Sequence, residues 1–303
     1  MWLGGVVTGI ICALLTFYNS RECEVMSSVR DKANSRISAL KSLLCVGLDS
    51  DPQKIPKVFS AYQNPVLEFN RSIIRATSDV AIAYKLNTAF YEARGIAGLQ
   101  DMEQTLRLIP DACLTIADAK RADIGNTSKM YAQAFFDHWC FDALTVAPYM
   151  GFDSLEPFFA YEDKLIFVLC LTSNEGSADF EERDMADGTP LYRSVLGKVA
   201  LWSRNGNGGV VVGATKSVLL GEIRRDAPGL FLLIPGVGAQ GGSLQEAVNL
   251  GVDGKRQSAV INVSRALIYP SSGVAGSFSC IDDYEQAVAD EASKIHNAMS
   301  IEL

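Results

Sequence analysis

Histidine is scarce in this sequence. Only His138 and His296 occur in 303 residues, far apart and without the spacing of metal ligands. That argues against a histidine-based metal site and against acid–base chemistry run by histidine. Both are expected to be plain helix residues. The seven cysteines include no C-x-x-C pair, and their odd number does not suit a disulfide framework. Cys45, Cys113 and Cys170 lie in apolar runs, where a thiol acts as a small hydrophobe. A reduced, cytoplasmic protein is expected. Positive charge is also in deficit. With 27 Lys and Arg against 35 Asp and Glu, the net charge is −8 and the pI about 4.9. Broad attraction to nucleic acid or to an anionic membrane is therefore not expected, and an anionic ligand would need a local site.

The N-terminus lacks charge altogether. Residues 2–18, "WLGGVVTGIICALLTFY", carry none, and the first charged residue is Arg21. The stretch is near the lower limit for a membrane-spanning helix and has no basic region before it as a signal peptide would. From Met26 the text becomes polar and helical, leading into a strand. Residues 1–25 are expected to be a hydrophobic appendage and residues 26–303 a single domain. A membrane anchor made by residues 2–18, or an extended start of the chain, are the alternatives.

No Pro/Ser-rich linker divides the remainder, which is as apolar as an ordinary globular protein, 48% hydrophobic and 20% charged overall. Short apolar or β-branched runs recur at residues 43–48, 80–86, 113–117, 143–146, 165–171, 209–212, 230–234 and 259–263. Amphipathic stretches such as "PVLEFNRSIIRATS", "SKMYAQAFFDHW" and "LYRSVLGKVALW" separate them. Eight strands alternating with helices imply a parallel sheet covered on both faces. The length suits an α/β fold of the (β/α)8 TIM-type barrel class, with an open doubly wound sheet as the runner-up. The longest inter-strand stretch follows strand five and opens with "TSNEGSADFEERDMADGTP", a loop long enough for a lid.

One glycine pattern, Gly236-x-Gly238-x-x-Gly241 in "LLIPGVGAQGG", matches a dinucleotide fingerprint. However, it follows strand seven, and too little chain remains for the second half of such a fold. In barrels the loops after strands seven and eight commonly bind phosphate. Gly236, Gly238, Gly241 and Gly242 allow backbone N–H groups close to an oxyanion, Gln240 supplies an amide, and strand eight ends in "INVSRAL" with Arg265 beside the loop. A phosphate site is expected, with a purely structural glycine turn as the alternative.

The densest charge is in "LTIADAKRADIGNTS", residues 114–128. Positions i and i+2 of a strand face the same way, so Asp118 and Lys120 can both face the barrel mouth. Asp123, Ile124 and Thr127 would share one side of the following helix and reach a different surface. Strand one ends near Asp49 and strand two near Lys85, and residues at C-terminal strand ends of a barrel converge. Charges so close to buried strands must be paired. Flanking carboxylates keep Lys120 protonated, which suits a proton donor to a carbanion better than a Schiff-base amine. An aspartate against a substrate carboxylate would favour its departure as carbon dioxide, and fixed positive charge would stabilise the carbanion. A structural salt-bridge network is the alternative.

The motifs "LLCVGLDSD", "YKLNTAFYE", "DAKRADIGNTS", "LTVAPYMGFDSLEPF", "LTSNEGS", "GVVVGAT", "LIPGVGAQGG" and "INVSRALIY", in this order over about residues 40–270, resemble the orotidine 5′-phosphate decarboxylase family in its longer form. The resemblance implies a homodimeric barrel that converts orotidine 5′-monophosphate to uridine 5′-monophosphate without cofactor or metal, in pyrimidine synthesis. It implies that Asp49 and Lys85 contact the ribose, that Lys85 joins the charged network, and that Asp118 sits by the scissile carboxylate. Lys120 would protonate the six-position ring carbon. Asp123, with Ile124 and Thr127, would enter the partner subunit's site. Ser173 would bond the pyrimidine, and Gln240 and Arg265 the phosphate, with Gly236 and Gly238 shaping the loop and Pro235 and Ser264 beside them. This chain departs from the family pattern at Ser50, Ala122, Ala147 and Glu175, and Glu175 places an extra anion in the lid. The rivals are a magnesium-dependent phosphosugar barrel enzyme, an aldolase using Lys85 or Lys120, and an inactive nucleotide-binding scaffold.

Overall fold

The structure is a computed structural model that describes residues 28–238, 241–270 and 278–303. The expected appendage at residues 1–25, with the anchor alternative at 2–18, lies outside the described residues, as does Gln240. Among the described residues no helix is long and apolar enough to cross a membrane.

Eight strands pair in parallel in chain order and close into a barrel: β1 (Leu44–Gly47), β2 (Ala83–Asn87), β3 (Leu114–Arg121), β4 (Ala143–Val146), β5 (Leu165–Leu171), β6 (Gly208–Val212), β7 (Phe231–Pro235) and β8 (Ala259–Val263), which returns to β1. Helices or helical turns follow each strand, giving the (β/α)8 barrel. Every residue of β1, β4, β6 and β8 is buried, which is why these strands read as unbroken apolar runs rather than alternating ones.

The barrel interior is filled by size complementarity. Gly209 on β6 pairs with Phe167 on one side and Phe231 on the other. Their rings meet edge to face at 5.9 Å. A Cβ at Gly209 would fall 2.6 Å from the Phe231 carbonyl oxygen and 2.8 Å from the Phe167 ring. The glycine is the small partner that lets two large ones share the layer.

The helices form where their sequences say they should. Pro65–Thr77 opens with proline in its first turn, and the Asn64 side chain accepts the Leu67 N–H at 3.1 Å. Val66, Phe69, Ile73 and Ile74 form its buried face. Val29–Leu40 is capped by Ser28, whose hydroxyl accepts the Asp31 N–H at 3.3 Å. The last helix, Ile281–Glu302, carries Asp282 and Asp283 in its first turn, where the helix dipole favours them. His296 lies in this helix, and His138 ends a short π-helical turn, Gln133–His138. The five described cysteines, Cys45, Cys113, Cys140, Cys170 and Cys280, are free thiols.

Two elements differ from expectation. β3 runs to Arg121 instead of stopping at residue 117. Its pairing with β4 slips on the way: Ala117 faces Leu144, but Arg121 faces Val146. The strand thus contains a bulge that spans the charged stretch, and a bulge leaves no mark on hydrophobic periodicity. The segment after β5 is more ordered than a bare loop. It contains a helical turn, Ser177–Phe180, and a bridge between Asp184 and Pro190.

Candidate active site

Asp49 follows β1, and its position is set from both sides. In front, the Leu48 N–H donates to the Lys85 carbonyl at 2.9 Å, bringing the end of β1 against β2. Behind lies a buried polar network. Ser50 Oγ donates to Asn70 Oδ1 at 2.5 Å, and Asn70 Nδ2 donates to Thr105 Oγ1 at 2.9 Å and to Tyr91 Oη at 3.2 Å. Tyr91 Oη donates back to the Leu48 carbonyl at 3.1 Å. Ser50 is thus a working member of this network.

Lys85, Asp118 and Lys120 form a continuous chain of charge. Lys85 Nζ is 2.9 Å from Asp118 Oδ2 and 3.7 Å from Asp49 Oδ1; Lys120 Nζ is 2.6 Å from Asp118 Oδ1. Burial opposes the charge of Lys85, but the carboxylates of Asp49 and Asp118 outweigh it and hold the ammonium above the usual lysine range. Burial likewise opposes the charge of Asp118. Lys85 and Lys120 overcome it and hold the carboxyl well below the usual carboxylate range. The two lysines are not equivalent. The Lys85 side chain is 4% exposed and that of Lys120 48%, so Lys120 is the more accessible of the two ammonium groups.

Asp118 and Lys120 are brought into contact, but not by regular strand geometry. Lys120 has φ 49°, a left-handed conformation uncommon for a residue with a side chain. The bulge in β3 carries this strain at the charged site.

Across the mouth, the loop after β7 folds back on itself. Gly236 and Gly238 have φ 98° and 75°, values open to glycine. The Gly241 N–H donates to the Gly238 carbonyl at 2.8 Å and the Gly242 N–H to the Gly236 carbonyl at 3.2 Å. On the β8 side, Asn262 Nδ2 donates to Ser264 Oγ at 3.2 Å. Gly47 of β1 permits that arrangement, because a Cβ there would fall 1.8 Å from Ser264 Oγ. Asp49, Lys85, Asp118, Pro235, Gly236, Ser264 and Arg265 all line one cleft between the charged chain and the glycine loop. Arg265 is exposed and makes no ion pair with other described residues.

The sequence model described as the Orotidine 5'-phosphate decarboxylase / HUMPS family matches residues 42–275. The chain belongs to this family. It is 46% identical over 271 residues to the orotidine 5'-phosphate decarboxylase of Flavobacterium johnsoniae, covering 88% of this chain and 95% of that protein. Among solved structures it is similar to Leishmania donovani OMP decarboxylase, with a TM-score of 0.76, 37% identity, and coverage of 91% of this chain and 100% of that one. Leishmania donovani UMP synthase gives a TM-score of 0.77 at 38% identity, but this chain spans only 57% of that protein's length.

In this decarboxylase-family chain, other expected site residues stand outside the cleft. Asp123 does not join the charged chain of Lys85, Asp118 and Lys120; its carboxylate accepts the Ile124 N–H at 2.7 Å. Ile124 is 62% exposed, and Thr127 is half-buried in the helix Gly125–Ala132 that starts after it. Ser173 follows β5. Gly213, after β6, packs against it so closely that a Cβ would fall 2.7 Å from its backbone nitrogen. The segment that follows Ser173 is tied down: Thr172 donates its N–H at 2.7 Å and its hydroxyl at 2.9 Å to Glu181, and Glu182 accepts from Lys216 and Ser177, both at 2.6 Å. Glu175, the extra anion, is exposed there.

Sequence reasoning did not single out Asn87, Val237, Asn262 and Ala266, which also line the cleft. The two asparagines could have been found, since a polar residue at the end of an otherwise apolar strand must have a partner. Val237 and Ala266 carry no such signal.

Proposed function

We infer that the protein decarboxylates orotidine 5′-monophosphate to uridine 5′-monophosphate, using its own side chains and no cofactor. The observation that carries this reading is Asp118 held ionised between a buried Lys85 and an exposed Lys120, beside a cleft that ends in a glycine loop and an arginine with no ion pair among the described residues.

Each group has a task in that reaction. The nucleotide phosphate is held by Arg265 and by N–H groups of the loop that starts at Gly236, with Gln240 and Gly238 completing it and Pro235 and Ser264 on its flanks. Asp49 and Lys85 meet the ribose, and Ser173 the pyrimidine. Asp118 then stands by the substrate carboxylate. The bond from C6 to the carboxyl carbon breaks, carbon dioxide leaves, and the electron pair stays on C6. The Lys120 ammonium stabilises that charge and gives C6 its proton, and the resulting amine regains one from water. Lys85, more deeply buried, keeps Asp118 ionised. Enzymes lower barriers by about 8–23 kcal/mol, and a decarboxylation without an electron sink needs the upper end. Preorganised charge supplies part of this, and phosphate binding remote from the ring supplies part.

The reading includes a partner, a second copy of this chain. Ile124 is 62% exposed, Met130 51% and Tyr149 86%, the first two in the segment after β3 and the third after β4. Large apolar side chains left exposed in the segment that holds Asp123 support a homodimer in which Asp123, Ile124 and Thr127 reach the other subunit's site. The reading also includes a cytoplasmic location, with residues 26–303 as the working unit and residues 1–25 as an appendage. Expression of residues 26–303 as an inactive product would refute the last point.

The deciding experiment follows the absorbance of orotidine monophosphate with and without chelator. Loss of the orotate chromophore at equal rates in both supports the reading. No loss, or loss only when magnesium is present, overturns it.

A further inference from the structure

We propose that Thr145 is a positioning residue for the proton donor, acting through both Lys120 and Asp118. The proposal deepens the decarboxylase reading and rests on it.

Thr145 lies on β4 and is 1% exposed. It sits where the β3–β4 ladder breaks, between the Ala117–Leu144 and Arg121–Val146 pairs. Inside a bulge the backbone loses its regular partners, yet a buried N–H must still be satisfied. Here the Lys120 N–H donates to Thr145 Oγ1 at 3.0 Å, replacing a ladder bond. The hydroxyl in turn contacts Asp118 Oδ1 at 3.0 Å. That oxygen is also the one 2.6 Å from Lys120 Nζ.

The direction of the hydroxyl proton follows from these partners. A backbone N–H can only donate, and an ionised carboxylate can only accept. Thr145 must therefore accept from Lys120 and donate to Asp118. One hydroxyl thus secures the strained backbone of Lys120, at φ 49°, and one oxygen of the carboxylate that aims its ammonium. Valine has the same shape and would fill the space without either bond. The Lys120 N–H would then be orphaned, and the left-handed residue would lose the contact that opposes its relaxation.

The test compares wild type with Thr145→Val and Thr145→Ser under steady-state turnover of orotidine monophosphate. Removing a hydrogen bond to a charged group is expected to lower kcat about 10- to 100-fold. KM should change less than about threefold, since Thr145 does not line the cleft. Thr145→Ser retains the hydroxyl and should recover to within about threefold of wild type. If valine is poorly tolerated, Thr145→Ala makes the same comparison with serine. A valine or alanine variant with wild-type kcat overturns the proposal, as does a serine variant as slow as valine, which would assign the effect to the methyl group. Wild-type protein that fails to turn over the nucleotide would instead overturn the decarboxylase reading, so the two failures are separable.

Discussion

Lys85 Nζ lies 2.9 Å from Asp118 Oδ2, on adjacent strands at the mouth of the barrel. Asp118 uses its other oxygen for Lys120, so one carboxylate serves a buried cation and an exposed one. Its ionisation is maintained by the first while it orients the second.

Lys120→Ala should therefore remove nearly all turnover while the fold persists. The exposed ammonium contributes no buried pair whose loss would open the core, and exposed ion pairs contribute little to stability. Orotidine monophosphate absorbance measures the first point and circular dichroism the second. Full activity would exclude Lys120 as the proton donor.

Asp118→Asn should alter the acid limb of stability. The folded carboxyl titrates below its unfolded value of about 3.9, so its contribution is complete above that pH. It is lost as the pH falls through the depressed folded value. Urea midpoints of the wild type should fall below about pH 4, and those of Asp118→Asn should fall less. At neutral pH the variant should be less stable by roughly 3 kcal/mol, because Lys85 is left buried with Asp49 alone at 3.7 Å. Parallel pH profiles for the two proteins would contradict the argument.

Arg265→Ala should lower kcat/KM for the nucleotide at least about tenfold, as expected for loss of a charge-assisted contact. On the nucleoside without its phosphate, wild type and variant should turn over alike. A variant equally impaired on both substrates would place Arg265 in some task other than phosphate binding.

Mixing Asp118→Ala with Asp123→Ala subunits should restore activity that neither has alone. Asp123 stands outside the charged chain of Lys85, Asp118 and Lys120, so in the proposed homodimer a mixed pair would own one intact site. Ile124→Arg should weaken the proposed dimer and lower activity together, read by sedimentation and turnover. No recovery in well-mixed dimers would show that each site is built from one chain.

The barrel itself was legible because its causes are local. Apolar runs of strand length, amphipathic helices between them and short connections dictate alternating layers whatever the long-range contacts. Asp49, Lys85, Asp118 and Arg265 were legible for a related reason: the fold carries C-terminal strand ends to one mouth, so position along a strand foretells position in space. Four features were decided only by tertiary structure. The slip of β3 against β4 depends on which residues of β4 face it, and so do the left-handed Lys120 and the bond it makes to Thr145. The network of Ser50, Asn70, Tyr91 and Thr105 joins side chains far apart in sequence, and nothing in the periodicity of any one segment announces the meeting. Local patterning determines which face of each element is buried. The pairing of buried polar groups is settled only when those faces come together, because a hydrogen bond needs both partners within about 3 Å.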